Sequence, residues 1–226
     1  MIPIIFTISF YIIYSRLYDH EICNTREVVG LTSLFYSFML WYQKIFHPVY
    51  FLLICAFIVI YIEWRNNGGS LAARVLTLIT AWVIGFVIYN MHSVFYPSAS
   101  EQWIEDVFAA IGAATAILIT LVLWKIKGFG VEWIGNIVGT IAVLVPFAII
   151  SPFWNISGHV TFTTAPVVYI VALERRWIWL FIIPLVMIIN RPVVGAHTVA
   201  QSIAGFFLGM LALVGYLYIK RKRESK

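Results

Sequence analysis

Charged side chains are scarce in this chain: Asp, Glu, Lys and Arg make up 11% of its 226 residues, against 62% hydrophobic. So little charge excludes an ordinary soluble domain, because the apolar surface exceeds what such a domain can bury. No long polar stretch interrupts the apolar runs, which points to one domain without a soluble appendage. Period-two alternation is also missing, which argues against a membrane barrel and leaves helices as the way to satisfy the backbone in lipid. Cysteine is limited to Cys23 and Cys55, in different settings, so no disulfide framework is expected. The apolar start, residues 1–14, lacks a basic leader region and a small-residue cleavage site, so no cleavable signal peptide is expected. Carboxylate or histidine clusters with metal-ligand spacing are absent, and neither a metal nor another cofactor is expected. The net charge of +5 sits in short clusters at the ends of apolar runs, without a phosphate loop or basic groove, so nucleic acid is not expected as a partner.

What is present is a succession of nine apolar runs, at residues 2–14, 28–42, 46–62, 71–95, 103–124, 132–153, 158–173, 177–190 and 197–219. A bilayer core of ~30 Å needs about 20 helical residues, so the first, second and eighth runs are short, and the first suits the membrane interface. Basic residues give the orientation. Arg65 and Arg74, Lys125 and Lys127, Arg175 and Arg176, and the Lys220-Arg221-Lys222-Arg223 tail all fall on one side if the helices alternate. The positive-inside rule makes that side, and the C-terminus, cytoplasmic. Lys44, His47 and His92 then share the extracytoplasmic or lumenal side with two polar clusters. Residues 15–27 read as a solvated loop, residues 66–70 as a turn-rich connection, and Trp64, Trp124, Trp154 and Trp177 as interfacial anchors.

The first polar cluster is Ser157-Gly158-His159, opening a helix. Free N–H groups of a first helical turn and the positive end of the helix dipole suit an anion. Gly158 lets backbone approach it, Ser157 caps the helix or donates its hydroxyl, and His159 stands ready to give up a proton. A serine cap followed by a structural histidine explains the same three residues. The second cluster runs from Asn190 to Gln201. His197 and Gln201 stand at i and i+4 on the opening turns of the last helix, where the amide accepts a ring proton, fixes the tautomer and leaves the other nitrogen a lone pair. Arg191 offers a planar fork of donors suited to phosphate oxygens, or a snorkelling anchor. One hydrophobic hairpin separates the two histidines, and the pairing points to a shared site.

The pattern Ser157-Gly158-His159, then Arg191, five residues, His197, three residues and Gln201, followed by Ser202-Ile203-Ala204-Gly205, resembles the second and third motifs of the type 2 phosphatidic acid phosphatase superfamily. The resemblance implies an all-α integral membrane fold with a six-helix catalytic core at residues 71–219, N-terminal membrane helices at 1–70 outside it, and a basic cytoplasmic tail at 220–226. It also implies a hydrolase: His197 as nucleophile forming a phosphohistidine, His159 as acid, Gln201 orienting the nucleophile, and Arg191, Ser157 and the Gly158 amide cradling phosphate without a metal. Glutamine stands where most of the family has aspartate, as it does in the dolichyl diphosphatase branch, which implies a polyprenyl or dolichyl (di)phosphate or a related lipid phosphate as substrate. The family's first motif, a lysine followed after six residues by Arg-Pro, has no counterpart, since Lys125 is followed at that spacing by Glu132-Trp133. Lys44, His47 and His92 are the candidates to replace its charge. That departure keeps two alternatives open, a lipid phosphotransferase of the sphingomyelin or inositol-phosphorylceramide synthase type and a non-catalytic membrane protein that retains the motifs.

Overall fold

The computed structural model describes residues 26–95 and 102–225, so the first expected run and Cys23 lie outside the described residues. The described residues form helices and no strands: α1 (Arg26–Ile45), α2 (Pro48–Asn67), α3 (Leu71–Phe95), α4 (Gln102–Lys127), α5 (Glu132–Ile150), α6 (Gly158–Leu173), a 3-10 segment (Arg175–Phe181), α7 (Ile182–Val193) and α8 (Val199–Glu224). Four helical segments are long and apolar enough to cross a membrane: Leu71–Met91, Glu132–Ile150, Arg175–Val193 and Val199–Arg223. The bent pair α1–α2 makes up to five if it counts as one span, with a bend of 53°. Pro48 supplies the reason for the bend, because it has no N–H to continue α1 and restricts the backbone of His47 before it. Large apolar side chains such as Leu76, Phe86, Leu118 and Leu211 stand exposed on the outside, a surface suited to lipid and to an integral membrane protein.

The helix at the centre is a shorter apolar one. α6 has 16 residues, fewer than a bilayer core requires, yet nearly every residue from Val160 to Ile170 is buried, and it packs against α2, α5, α7, α8 and the 3-10 segment. A helix apolar on all sides is an interior helix. Its threonines are satisfied within the helix: Thr161 donates to the Ser157 carbonyl at 2.9 Å, Thr163 to His159 at 2.7 Å and Thr164 to Val160 at 2.7 Å. α8 lies close alongside because Gly205 and Gly209 leave room. A Cβ at Gly205 would come within 2.7 Å of the Ser157 carbonyl, and one at Gly209 within 2.6 Å of the Thr161 carbonyl. This is the small-residue spacing that lets membrane helices meet backbone to backbone.

The packing does not follow a division at residue 70. Tyr42 of α1 and Phe51, Cys55, Val59 and Ile60 of α2 belong to the same buried cluster as Val160, Tyr169, Met187 and Leu213. The pair α3–α4 is instead the more peripheral element, crossing so closely at Gly85 and Gly112 that neither tolerates a side chain, and touching the remainder through α2 and α5. The reason is side-chain size: α2 presents bulky buried residues toward α6, whereas α3 and α4 meet through glycine and alanine.

One end of the bundle collects the basic residues. Arg65 pairs with Glu174, which also pairs with Arg176 at 2.6 Å; Lys220 meets Glu132 at 3.4 Å; Arg74 donates to the Phe129 carbonyl at 2.6 Å. Glu63, fully buried at the same end, accepts from Trp124 Nε1 at 2.8 Å and from the backbone N–H groups of Glu132 and Trp133 at 2.7 and 3.3 Å. It thereby caps α5, whose own N-cap residue, Val131, has no side-chain acceptor. Ser157 stands at the opposite end of α6 from Glu174, so the two motif clusters occupy the other end of the bundle.

Candidate active site

Both motif clusters are built around helix starts. Ser157 is the N-cap of α6, with extended backbone and a fully buried side chain whose Oγ accepts from the Val160 N–H at 3.4 Å. Gly158 sits close under its neighbour, since a Cβ there would lie 3.2 Å from the tip of the Phe147 ring. The connection between Arg191 and His197 is a tight return: the Arg191 carbonyl accepts from the N–H groups of Ala196 at 3.0 Å and His197 at 3.3 Å, and Gly195 takes the left-handed conformation at φ +72°. The five-residue spacing therefore closes a loop that brings His197 back over Arg191.

Two hydrogen bonds join the clusters. The Ser157 N–H donates to the Gln201 carbonyl at 3.3 Å, and His197 Nδ1 lies 3.0 Å from the Asn155 carbonyl oxygen. A carbonyl only accepts, so this contact requires the proton on Nδ1 and leaves the lone pair on Nε2. The ring is oriented by a backbone acceptor two residues before the serine.

The helical face expected to carry both His197 and Gln201 is not formed, although the Gln201 side chain still reaches the imidazole. α8 begins at Val199, so His197 precedes its cap rather than sharing a helical face with Gln201. Thr198 is the N-cap: its side chain accepts from the Gln201 N–H at 3.2 Å, while Gln201 Oε1 accepts from the Thr198 N–H at 2.9 Å. Thr198-Val199-Ala200-Gln201 is a capping box, a pattern readable in the sequence that explains the glutamine by helix initiation. Gln201 still affects His197. Burial holds the His197 imidazole below the ordinary histidine range, the Arg191 charge lowers it further, and the Asn155 carbonyl and the Gln201 side chain oppose both. The neutral, nucleophilic ring is favoured near neutral pH.

Arg191 is only 7% exposed and forms no ion pair among the described residues. Its Nη1 donates to Gln43 Oε1 at 2.6 Å, and its Nε is buried with no partner. A buried guanidinium without a carboxylate is costly, and the cost falls when an anion takes the open donors. Of the candidates for additional charge, His47 reaches the cluster, its ring edge-on to His159 with centroids 5.1 Å apart. Lys44 is exposed with Nζ 5.4 Å from the Trp41 ring centre, and the His92 side chain lies outside the described residues.

No family model, curated protein or solved structure matches the chain. The chemistry of the site therefore rests on its own residues: a lone pair on a fixed imidazole, a second imidazole at a helix start, and a buried cation with open donors. Among the described residues no group of three or more His, Cys, Asp or Glu side chains is arranged to hold a metal ion.

Proposed function

We propose that this protein is a membrane lipid phosphatase that removes phosphate from a polyprenyl or dolichyl (di)phosphate, or a related lipid phosphate, through a phosphohistidine on His197. The observation that carries the reading is Arg191, a buried guanidinium in the last turn of α7 with an unpartnered Nε and no carboxylate partner among the described residues, joined by a short return to an imidazole whose Nδ1 is held by a carbonyl. A phosphoryl group satisfies both, as an anion for the arginine and an electrophile for Nε2.

In this reading Arg191, the Ser157 hydroxyl and the Gly158 N–H bind the phosphoryl oxygens, with the helix start adding its dipole. His197 Nε2 forms the N–P bond as the P–O bond to the lipid breaks. The electron pair leaves with that oxygen, which takes a proton from the small protonated fraction of His159, because burial and then the Arg191, His47 and His197 charges hold its pKa down at about 4. The phosphorylated ring carries positive charge and Nδ1–H, and the Asn155 carbonyl stabilises it. Water then attacks phosphorus, neutral His159 accepts its proton, and the N–P pair returns to Nε2. The net reaction is lipid phosphate plus water to lipid alcohol plus inorganic phosphate, or, from a diphosphate, to lipid monophosphate plus inorganic phosphate.

The substrate follows from position. A site at one end of an apolar bundle meets phosphate at headgroup level while the tail remains in lipid. By the positive-inside rule, the basic end and the C-terminus are cytoplasmic and the site is extracytoplasmic or lumenal. The test is inorganic phosphate release by the purified chain in micelles across polyprenyl diphosphate, phosphatidate and phosphatidylglycerol phosphate. Release abolished by His197→Ala supports the reading, and equal release by that variant refutes it.

A further inference from the structure

The bend between α1 and α2 sends two side chains into the group around Arg191, and neither lies in the motifs that point to phosphoryl transfer. Gln43, in the last turn of α1, accepts from Arg191 Nη1 at 2.6 Å. His47, between the two helices, sets its ring against His159. The same part of α1 is tied to α7 a second time, through Asn190 Nδ2 and the Met39 carbonyl at 2.6 Å. α1 is therefore bonded to the very turn that carries the arginine.

The kind of partner matters more than its presence. A buried guanidinium is ordinarily matched by a carboxylate, which cancels its charge and occupies its fork. Gln43 offers one neutral acceptor in place of two charged ones. The amide fixes the planar group through Nη1, leaves Nε without a partner, and leaves the positive charge uncancelled. Among the described residues Arg191 is the arginine whose charge bears on both motif histidines.

We propose that Gln43 is a positioning residue of the anion site, holding Arg191 in place without neutralising it, so that the bent α1–α2 pair completes the phosphate site from outside the motifs. The inference rests on Arg191 being the phosphate-binding group. Its test needs no turnover: the affinity of the full chain in micelles for inorganic phosphate, measured by calorimetric titration for the unsubstituted protein and for Q43E, Q43A and R191A.

Q43E places a carboxylate on Nη1 and is expected to weaken phosphate binding at least about tenfold at pH 7, because it cancels the charge that attracts the anion. The deficit shrinks as the pH falls through the carboxyl range, a recovery that damage to the fold would not show. Q43A removes the tether but keeps the charge, and is expected to weaken phosphate binding by about three- to fivefold, less than Q43E and less than R191A, because the guanidinium is present but no longer held. Q43E binding phosphate as tightly as the unsubstituted protein, or with a deficit indifferent to pH, overturns the assignment. Should Q43E fail to fold, a Q43A affinity equal to that of the unsubstituted protein overturns it equally. Equal binding by R191A and the unsubstituted chain removes the reading of Arg191 itself, whereas weak R191A with normal Q43E removes only Gln43.

Discussion

His197 Nδ1 lies 3.0 Å from the Asn155 carbonyl oxygen, and that contact links the two motif clusters while deciding which ring nitrogen is free. Because a carbonyl cannot donate, the nucleophilic tautomer is set by main-chain geometry and is independent of the side chain at 155. Substitution of Asn155 is accordingly expected to matter less than any change that shifts the backbone there.

The pH dependence follows from the direction of the His197 shift. Burial and then Arg191 lower its pKa, so the ring is neutral above a value that lies below the ordinary ~6.5, and the nucleophile is lost as pH falls through that lowered value. The acid limb of kcat/KM is therefore expected below pH ~6.5. Replacing Arg191 with glutamine removes a positive neighbour, which raises the His197 pKa and moves the limb upward. An acid limb above pH ~6.5 in the unsubstituted protein, or a downward shift in the variant, contradicts this account.

The capping box makes a separate prediction about stability. Thr198→Ala removes the acceptor for the Gln201 N–H and is expected to cost about 0.5–2 kcal/mol, read as a lower thermal midpoint in micelles. Gln201→Glu keeps an acceptor for the Thr198 N–H, so its midpoint should stay near that of the unsubstituted chain. The added carboxylate beside His197 should raise the imidazole pKa and shift the acid limb upward. A box that is irrelevant to α8 would leave the Thr198→Ala midpoint unchanged.

Gly205 tests the closeness of α6 and α8. An added Cβ would stand 2.7 Å from the Ser157 carbonyl, a backbone atom that cannot swing aside, so Gly205→Ala must separate the helices at the site. A displacement approaching 1 Å is expected to reduce phosphate release by about a hundredfold. Gly215→Ala, on the same helix with open space around it, should leave the rate unchanged. Equal rates in the two variants would show that the close approach is unimportant to the site.

The parts legible in the sequence are those written in apolar periodicity and in short local motifs: the long helices from residue 71 onward, the serine cap at 157, and the grouping of basic residues at one end. Three features were not legible for identifiable reasons. The Asn155 acceptor is a backbone atom, and backbone acceptors have no residue signature. Gln43 sits at the end of a run that reads only as one more membrane helix, and its contact with Arg191, 148 residues distant, depends on a bend at Pro48, whereas His47 was a candidate on topology and lies against His159. Gln201 was visible, but its i, i+4 relation to His197 competed with its i, i+3 relation to Thr198, and the capping box won because it satisfies two otherwise open donors.

The most direct measurement is a rapid acid-free quench of the chain with a lipid diphosphate labelled in its terminal phosphate, followed by mapping of protein-bound label. The account predicts label on His197 that survives alkali and is lost in acid, and its absence from His197→Ala. Phosphate release at full rate with no label on His197, or by the His197→Ala variant, would contradict it.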